Sequence, residues 1–379
     1  MKDYRDKKMR LIASLMDFFG SIFFHFKARE IGEINKIVVL KFDRLGDTFL
    51  SLPVISGLRQ NFPDAKIVVL AAPWNKEVLE NNPDIDRLVV VDNLPDVHGG
   101  IKGFFSGRAI DLLARLIESE QPDMGVDLQG SPLNVLALYR AKVKIRVGFS
   151  WKVFSFLLTH KTQYNLSGKQ ARIYLSLLTA LSLPVNDVFP RLYPNLAEKA
   201  RVNDWSSSLA ANRLVVFHLG AGRSYRLWSI EKFAELAELI LKAGTDFKII
   251  IFGDETEEGR VIEFKKLLSP ELLPRIIDIS GQFNFREFYY LLSQAHSFVG
   301  NDSAPARLAG ALNIPAVCIF NPWSGVERFG IEGQRTVLVY KTAHVCAGQY
   351  CHLSPCPNML AVEAREVFNS WREINNMML

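Results

Sequence analysis

Short β-branched runs alternate with segments of helical periodicity along this chain, and the alternation occurs twice. In the first half, "KIVVLKF" (36–42) precedes residues 48–62, where apolar side chains recur at helical spacing. In the second half, "RLVVFHLGAG" (213–222) precedes "SIEKFAELAELILKAG" (229–244). Strands that alternate with helices are typical of parallel sheets covered by helices. The sequence therefore predicts an α/β protein with two similar halves, each built on a parallel sheet.

A stretch of different composition separates the two halves. Residues 184–213 hold three prolines and show no long periodic run, which is typical of a linker. We therefore expect an N-terminal domain over residues 31–190 and a C-terminal domain over residues 205–360. A last helix is predicted over residues 361–379.

The bulk composition narrows the class of partner. With 379 residues, 49% of them hydrophobic and 22% charged, the chain has the size and balance of a globular protein of two domains. The net charge is +5, and the basic residues are interspersed with acidic ones. Because no Lys/Arg block forms a duplex-binding face, no nucleic-acid partner is predicted. A polyanionic small molecule or an anionic membrane surface suits this charge better.

Residues 1–30 differ from the rest of the chain and form a separate N-terminal segment. The apolar stretch is interrupted by Asp17 and His25, so it is too short and too polar to span a bilayer comfortably. It also lacks the small-residue cleavage site of a signal peptide. Two interpretations stay open: a helix lying in a membrane interface, or a helix packed on the protein or a partner. The residues at helical spacing are Ile12, Leu15, Phe19, Ile22, Phe23 and Phe26.

Ligands of open α/β sheets bind where strands end and helices begin. One such turn in the second half is Gly220-Ala221-Gly222, followed by Arg223 and Arg226. A glycine-rich turn offers backbone N–H groups to an anion, and arginines can donate two parallel hydrogen bonds to phosphate oxygens. The glycine spacing is not that of the dinucleotide fingerprint, so a nicotinamide cofactor is disfavoured. A solvated basic turn is the alternative.

A second turn of this half, in "GNDSAPARLAGAL", places Asp302 and Ser303 before a helix that starts near Pro305. Helix capping alone would explain either residue. The sharper hypothesis is an anion held by Ser303 and the free N–H groups of the helix. Glu257, which follows the strand "DFKIIIFGD" by a few residues, could bind a ribose or simply start a surface helix.

A carboxylate follows the first strand of the first half. Asp47 lies where a helix begins, so a capping or first-turn role on the helix dipole explains it. Gly46 beside it lets a substrate approach closely, and a carboxylate so placed can act as a general base on a hydroxyl. From the residues alone, both interpretations stay open.

Three cysteines cluster near the C-terminus. Cys346, Cys351 and Cys356 have four residues between successive members, with His344 and His352 nearby. This is not the C-x-x-C spacing of a typical zinc site. We therefore favour thiols packed in a C-terminal loop, and the sequence predicts no metal site.

Taken together, these turns resemble glycosyltransferase family 9, the ADP-heptose:lipopolysaccharide heptosyltransferases and their relatives. The resemblance runs from about residue 36 to residue 360 and is carried by four motifs in order. It implies a GT-B fold, in which two Rossmann-like parallel-sheet domains face a central cleft. It also implies an inverting transfer with no metal and no cofactor. The motifs are "KFDRLGDTFLSLPVISGLRQNFPDAKIVVL", "VDLQGS", "HLGAGRSYRLWSIEKFAELAELI" and "GNDSAPARLAGALNIPAVCIFNP".

The resemblance also implies roles for single residues. The family's catalytic base falls on Asp47, its phosphate-binding lysine on Arg226 and its ribose-binding glutamate on Glu257. Its Asp-Ser/Thr turn falls on Asp302 and Ser303. The complete predicted set is Gly220, Gly222, Arg223, Arg226, Glu257, Asp302, Ser303 and Arg307 for the donor, and Arg44 and Gln129 for the acceptor.

The chain departs from the family pattern at a few positions. Where the family usually reads G-N-D-S-G-P-M-H-L-A, Ala304 replaces a glycine and Arg307 replaces a histidine. Ser229 follows Trp228 where the family has a proline. We expect the arginine to reshape the donor pocket.

The function implied is transfer of a sugar, heptose by resemblance, from a nucleotide diphosphate, ADP by resemblance. The acceptor would be a lipopolysaccharide-core or other cell-surface glycan, or a lipid-linked sugar. The protein would then be cytoplasmic and peripheral on the inner face of the cytoplasmic membrane. Two alternatives remain: a divergent member that binds a nucleotide or glycan without transfer, and a GT-B nucleotide-sugar epimerase that turns over without an acceptor.

Overall fold

The computed structural model of the chain divides into two compact units, Met1–Tyr193 and Pro194–Leu379. Each unit contains one six-stranded parallel sheet. The prediction of two Rossmann-like parallel-sheet domains is therefore confirmed. The described residues are 16–17, 19–20, 22, 31–92, 94, 107–150, 153–165, 168–185, 189–209, 211–326, 333–345, 351 and 353–376.

The N-terminal unit carries the strands β1 (Lys36–Lys41), β2 (Lys66–Ala71), β3 (Arg87–Val90), β4 (Met124–Asp127), β5 (Ile145–Phe149) and β6 (His160–Thr162). Its α-helices are α1 (Leu45–Asn61), α2 (Lys76–Leu79), α3 (Gly107–Glu120), α4 (Pro132–Arg140) and α5 (Gln170–Ala180). Short 3₁₀ helices cover Pro73–Asn75 and Ser155–Leu157. The strands lie in the order β3-β2-β1-β4-β5-β6.

The C-terminal unit carries the strands β7 (Arg213–His218), β8 (Phe247–Ile251), β9 (Ile276–Asp278), β10 (Ser297–Asn301), β11 (Ala316–Ile319) and β12 (Thr336–Val339). Its α-helices are α6 (Leu196–Ser206), α7 (Ile230–Lys242), α8 (Glu258–Leu267), α9 (Phe285–Ser293), α10 (Ala304–Ala311), α11 (Pro357–Leu360) and α12 (Ala364–Ile374). Its 3₁₀ helices are Ser207–Leu209, Ser224–Arg226, Glu255–Glu257, Pro270–Arg275 and Pro322–Ser324. The strands lie in the order β12-β11-β10-β7-β8-β9.

Both sheets have the same strand order, counted from the first strand of each unit. The first strand lies between the second and the fourth, so the order reverses between β1 and β4, and again between β7 and β10. Such a reversal is the topological switch point at which doubly wound sheets bind their ligands, outside the carboxyl ends of the strands. The turns after these four strands are therefore the places where functional residues are expected.

The central strands are buried on both faces, as their uninterrupted apolar sequence predicts. Residues 37–40 of β1 have no exposed surface, which is typical of a parallel strand covered by helices on each side. In the C-terminal unit, the core extends to the last helix. Trp371 of α12 is fully buried, and its indole N–H donates to the Ser297 hydroxyl at 2.8 Å.

The linker prediction for residues 184–213 is wrong in part, because this stretch contains α6. Asn195 and Glu198 form a capping box that starts α6. Glu198 also forms a buried ion pair with Arg286 of α9, with a separation of 2.5 Å between the side chains. The helix is thus specified by its cap and by one polar contact, and its apolar residues show little periodicity.

Five residues of the N-terminal segment are described, and they are helical. Asp17 accepts a hydrogen bond from the Ser155 hydroxyl at 3.3 Å, and Gly20 lies against the Phe156 ring. Met16 and Ile22 are 40% and 53% exposed. Across the residues that the structure describes, none of the helices is long and apolar enough to cross a membrane.

Candidate active site

The turn between β1 and α1 carries the carboxylate predicted to be the base. Helix α1 begins at Leu45, three residues earlier than the periodicity predicted, so Asp47 lies in its first turn. The N-cap residue Arg44 makes no side-chain capping bond and is exposed. Gly46 is buried and Asp47 is half-buried. Asp47 therefore lies at the N-terminal end of the helix dipole.

The turn between β4 and α4 lies beside the β1 turn, because β4 pairs with β1. Asp127 is fully buried and accepts hydrogen bonds from the Gln129 N–H at 3.0 Å, the Ser131 N–H at 2.8 Å and the Asn134 amide at 2.8 Å. These bonds fix the turn that presents Gln129. The Gln129 side-chain oxygen has no hydrogen-bond partner among the described residues.

Sequence reasoning missed two ionisable residues at the end of β1 and in the turn that follows it, Lys41 and Asp43. The Lys41 ammonium is fully buried and lies 3.1 Å from the Asp43 carboxylate. Burial raises the pKa of Asp43 to about 6, and the charges of Asp47 and Asp127 act in the same direction while Lys41 opposes them. The sequence did contain a signal for this pair: Lys41 ends a buried strand, and Asp43 follows it two residues later.

In the C-terminal unit, the turn after β7 brings Gly220 against Glu257. A Cβ atom placed on Gly220 would lie 1.3 Å from the nearer carboxylate oxygen of Glu257, so only glycine permits this approach. An added Cβ on Gly222 would have nothing within 4 Å. Arg223 is exposed. The two glycines of the motif therefore differ in their importance.

Glu257 lies at the end of a 3₁₀ helix and makes no capping bond to α8. Its carboxylate is 3.7 Å from the His218 ring nitrogen, and burial raises its pKa. His218 has a backbone partner, since its Nδ1 lies 3.0 Å from the Phe252 carbonyl oxygen. Glu257 is thus a partly desolvated acceptor of hydrogen bonds beside the glycine turn.

Two arginines converge on one buried carboxylate after β10. Asp302 is 2% exposed and lies 3.0 Å from the Arg226 guanidinium and 3.5 Å from the Arg307 guanidinium. Ser303 is the N-cap residue of α10, yet its hydroxyl makes no capping bond and has no hydrogen-bond partner among the described residues. We call these four residues the arginine cluster. It offers cations and an unused hydroxyl at a helix N-terminus, which is the chemistry that binds a phosphate group.

The turns after β7 and β10 are joined by residues that the sequence did not single out. The Asn301 amide donates to the carbonyls of Leu219 and Gly220 at 3.0 and 3.1 Å, and its oxygen accepts from the Trp228 N–H at 3.0 Å. Arg260 donates to the carbonyls of Leu219 and Trp228. These bonds fix the backbone that carries the glycines and Arg226.

The C-terminal cysteines form no metal cluster within the described part of the chain. Cys356 is fully buried, and its sulfur lies 3.1 Å from the Asn321 amide nitrogen. Cys351 is also buried. Cys346 and His352 lie outside the described residues, so the favoured interpretation of packed thiols stays a prediction for the set as a whole.

Solved structures share the fold of this chain. The glycosyltransferase family 9 protein from Veillonella parvula aligns with a TM-score of 0.77 at 18% identity, over 93% of this chain and all of its own. The heptosyltransferase WaaC of E. coli, solved with ADP, aligns with a TM-score of 0.65 at 16% identity, over 89% of this chain and 99% of its own. The two sheets and their strand order thus define a GT-B glycosyltransferase fold.

The sequence of the chain identifies the family. The model of glycosyltransferase family 9 (heptosyltransferase) matches residues 111–352, and the chain belongs to this family. It is similar to lipopolysaccharide heptosyltransferase 3 of Escherichia coli, with 27% identity over 74% of this chain and 84% of that protein. The chain is therefore an enzyme, a glycosyltransferase.

Proposed function

We propose that this glycosyltransferase moves a heptose from ADP-heptose to a lipopolysaccharide-core sugar, with inversion at the anomeric carbon and without a metal ion. The observation that carries the proposal is the convergence of Arg226 and Arg307 on Asp302, beside the unused Ser303 hydroxyl. The ADP bound in WaaC and the lipopolysaccharide in the name of the Escherichia coli relative indicate the donor and acceptor classes.

The arginine cluster suits a diphosphate that gains charge during the reaction. Two guanidinium groups beside one carboxylate leave an excess of one positive charge. Fixed cations stabilise the departing diphosphate more than the intact donor, and this difference accelerates transfer. Arginines keep their charge at any working pH. The N–H groups at the start of α10 and the Ser303 hydroxyl would add hydrogen bonds to the phosphate oxygens.

The acceptor side of the reaction belongs to the N-terminal unit. A hydroxyl oxygen of the acceptor attacks the anomeric carbon, the bond from that carbon to the diphosphate breaks, and Asp47 takes the hydroxyl proton. Attack on the side opposite the leaving group inverts the configuration. Arg44 and the Gln129 amide would bind further hydroxyl groups of the acceptor, because both side chains offer polar groups beside the Asp47 turn.

The nucleoside of the donor would be bound at Glu257. A carboxylate accepts hydrogen bonds from the two hydroxyls of a ribose, and the partly buried position of Glu257 strengthens such bonds. Gly220 sets the position of this carboxylate, since any side chain there would displace it.

Alanine substitutions of Gly220 and Gly222 test this role of Glu257. We expect Gly220→Ala to weaken ADP-heptose binding by about tenfold, roughly 1.4 kcal/mol, because the Glu257 carboxylate must move away. The unfolding temperature should change little, since the end of a flexible side chain can yield. Gly222→Ala is the matched control, because its Cβ meets nothing within 4 Å. Calorimetric titration measures the affinity of each variant for ADP-heptose. Equal affinities for the two variants would remove Glu257 from the donor site.

A panel of nucleotide-sugars tests the donor assignment. A ligand at one hundred times its Kd stabilises the folded state by about 2.7 kcal/mol. We therefore expect ADP-heptose to raise the unfolding temperature by a few degrees, while UDP-sugars and NADH at the same concentration leave it unchanged. A shift produced by a UDP-sugar alone would overturn the ADP assignment.

We further propose that the N-terminal segment holds the protein on the inner face of the cytoplasmic membrane. Asp17 and Gly20 contact the 155–157 turn, whereas Met16 and Ile22 are exposed. A helix that has an exposed apolar face and basic residues nearby in the sequence is expected to bind an anionic bilayer surface. The nearby basic residues are Lys2, Arg5, Lys7, Lys8, Arg10, Lys27 and Arg29.

Vesicle binding tests the membrane proposal. We expect the full chain to sediment with phosphatidylglycerol vesicles, and less so as salt rises, because the screening of charges weakens the attraction. The double substitution Met16→Glu and Ile22→Glu should reduce binding by about tenfold or more, since charged groups do not enter the acyl region. Ile262→Glu is the control, because Ile262 is 48% exposed in the C-terminal unit. Equal binding by both variants would contradict the proposal.

A further inference from the structure

Two buried asparagines bind the backbone of residues 219–228, a segment between β7 and α7 that we call the donor loop because it carries Gly220 and Arg226. Asn301 ends β10, and Asn321 lies two residues beyond the end of β11. Both side chains are fully buried. Because β10 lies between β7 and β11 in the sheet, the two asparagines lie at the same sheet edge as the donor loop.

Asn321 binds the donor loop at the residue before Arg226. Its amide donates to the Tyr225 carbonyl oxygen at 2.8 Å, and its side-chain oxygen accepts from the Trp323 N–H at 3.1 Å. The amide nitrogen also lies 3.1 Å from the Cys356 sulfur. The Tyr225 carbonyl and the Arg226 nitrogen belong to one planar peptide group. Asn321 therefore fixes the orientation of the backbone on the N-terminal side of Arg226.

Asn301 binds the donor loop on both sides of Arg226. Its amide donates to the carbonyls of Leu219 and Gly220 at 3.0 and 3.1 Å. Its side-chain oxygen accepts from the Trp228 N–H at 3.0 Å. One buried side chain thus joins the start of the loop to its end, and the backbone that carries Arg226 lies between the two attachments.

The side chain of Arg226 is held at its far end as well. Its guanidinium lies 3.0 Å from the buried Asp302 carboxylate, and only 14% of the side chain is exposed. Its Nε–H is buried and has no hydrogen-bond partner among the described residues. Buried donors in proteins normally have a partner, so this one is suited to an acceptor oxygen of a ligand. Arg226 is therefore fixed at both ends while one of its donors stays unused.

We propose that Arg226 is fixed in its phosphate-binding position before the donor binds, and that Asn301 and Asn321 are the residues that position it. The proposal rests on the proposed function, in which Arg226 binds the diphosphate. Ordering a long side chain on binding costs free energy, and a side chain that is already ordered avoids this cost. A fixed cation also stabilises developing negative charge without reorganising during the reaction. Both asparagines act through the donor loop rather than on a phosphate.

Titration with ADP tests this role, because ADP carries the diphosphate without the sugar. In Asn321→Ser, the hydroxyl can still accept from the Trp323 N–H, but it is too short to reach the Tyr225 carbonyl. We expect this variant to bind ADP about three- to tenfold more weakly, the cost of ordering one long side chain. Asn301→Ala should lose at least as much. In an Arg226→Ala background, Asn321→Ser should cause no further loss, because residues that act through one another are not additive.

Asn358→Ala is the matched control for the two asparagines. Asn358 is also fully buried in the C-terminal unit, and its side chain bonds to the backbone N–H and carbonyl of His344 at 2.7 and 3.0 Å. This variant should lower the unfolding temperature but leave the Kd for ADP unchanged, so it separates a loss of stability from a loss of positioning.

The outcomes for the positioning role and for the proposed function are distinct. An ADP affinity that is unchanged by Asn321→Ser or by Arg226→Ala overturns the positioning role. A loss from Asn321→Ser that is equally large in the Arg226→Ala background also overturns it. If Asn301→Ala does not fold, Asn321→Ser decides, since it keeps the bond to Trp323. If the unaltered enzyme binds neither ADP nor ADP-heptose, the proposed function itself fails.

Discussion

Asp47→Asn is expected to abolish sugar transfer while leaving donor binding intact. The amide has nearly the shape of the carboxylate but cannot take a proton from the acceptor hydroxyl. Loss of a general base typically costs about 10²- to 10⁴-fold in kcat. Donor binding is assigned to residues of the C-terminal unit, so the Kd for ADP-heptose should stay within about twofold, less than 0.5 kcal/mol. Steady-state kinetics with calorimetric titration measures both quantities.

A surface carboxylate of the same unit provides the control for this variant. Asp111 pairs with Arg140 at 2.8 Å and is 38% exposed, so Asp111→Asn should leave both kcat and the Kd unchanged. If Asp47→Asn turns over at the rate of Asp111→Asn, Asp47 is not the base. Loss of donor binding in Asp47→Asn would show that the residue supports the fold rather than the chemistry.

Arg226→Ala should have the second large effect, because Arg226 would bind the departing diphosphate. Removing one fixed donor from the site of developing charge costs about 10²- to 10³-fold in kcat. The substitution also leaves Asp302 buried beside Arg307 alone. We therefore expect a lower kcat and a weaker affinity for ADP-heptose together. Arg226→Lys should recover part of the loss, since the charge remains while the planar fork is lost.

Arg213 is the matched control for Arg226. It lies at the start of β7, whereas Arg226 lies in the 3₁₀ helix that follows this strand, and it forms a surface pair with Asp246 at 2.6 Å. Arg213→Ala should leave the kinetics unchanged. Retained kcat in Arg226→Ala would remove the arginine cluster from the mechanism. If kcat falls while the Kd for ADP-heptose is unaltered, Arg226 acts only in the transition state.

The local patterns of the sequence predicted the repeating units of the fold. The uninterrupted apolar run at 37–40 identified a buried parallel strand, because both of its faces are covered by helices. Helix α6 was missed because its stability depends on the Asn195–Glu198 capping box and the contact with Arg286. The N-x-x-E spacing was the readable signal for that helix.

Contacts between distant turns were beyond the reach of the sequence. Lys41 was not singled out, because its contact with the Leu128 carbonyl depends on β4 lying next to β1. Arg226 and Arg307 attracted attention separately, but their convergence on Asp302 requires β10 to pair with β7. The sequence likewise pointed to Gly220 without indicating that Glu257 would fill the space above it. Strand order decides these contacts, and strand order is a tertiary property.

The most direct test of the whole account is a transfer assay with ADP-heptose and a lipopolysaccharide-core acceptor. Mass spectrometry of the acceptor, release of ADP and NMR of the new glycosidic bond are measured together, with and without a metal chelator. The account predicts one heptose added for each ADP released, an inverted anomeric configuration and no effect of the chelator. Release of ADP or rearrangement of the sugar in the absence of any acceptor, with no gain in acceptor mass, would contradict it.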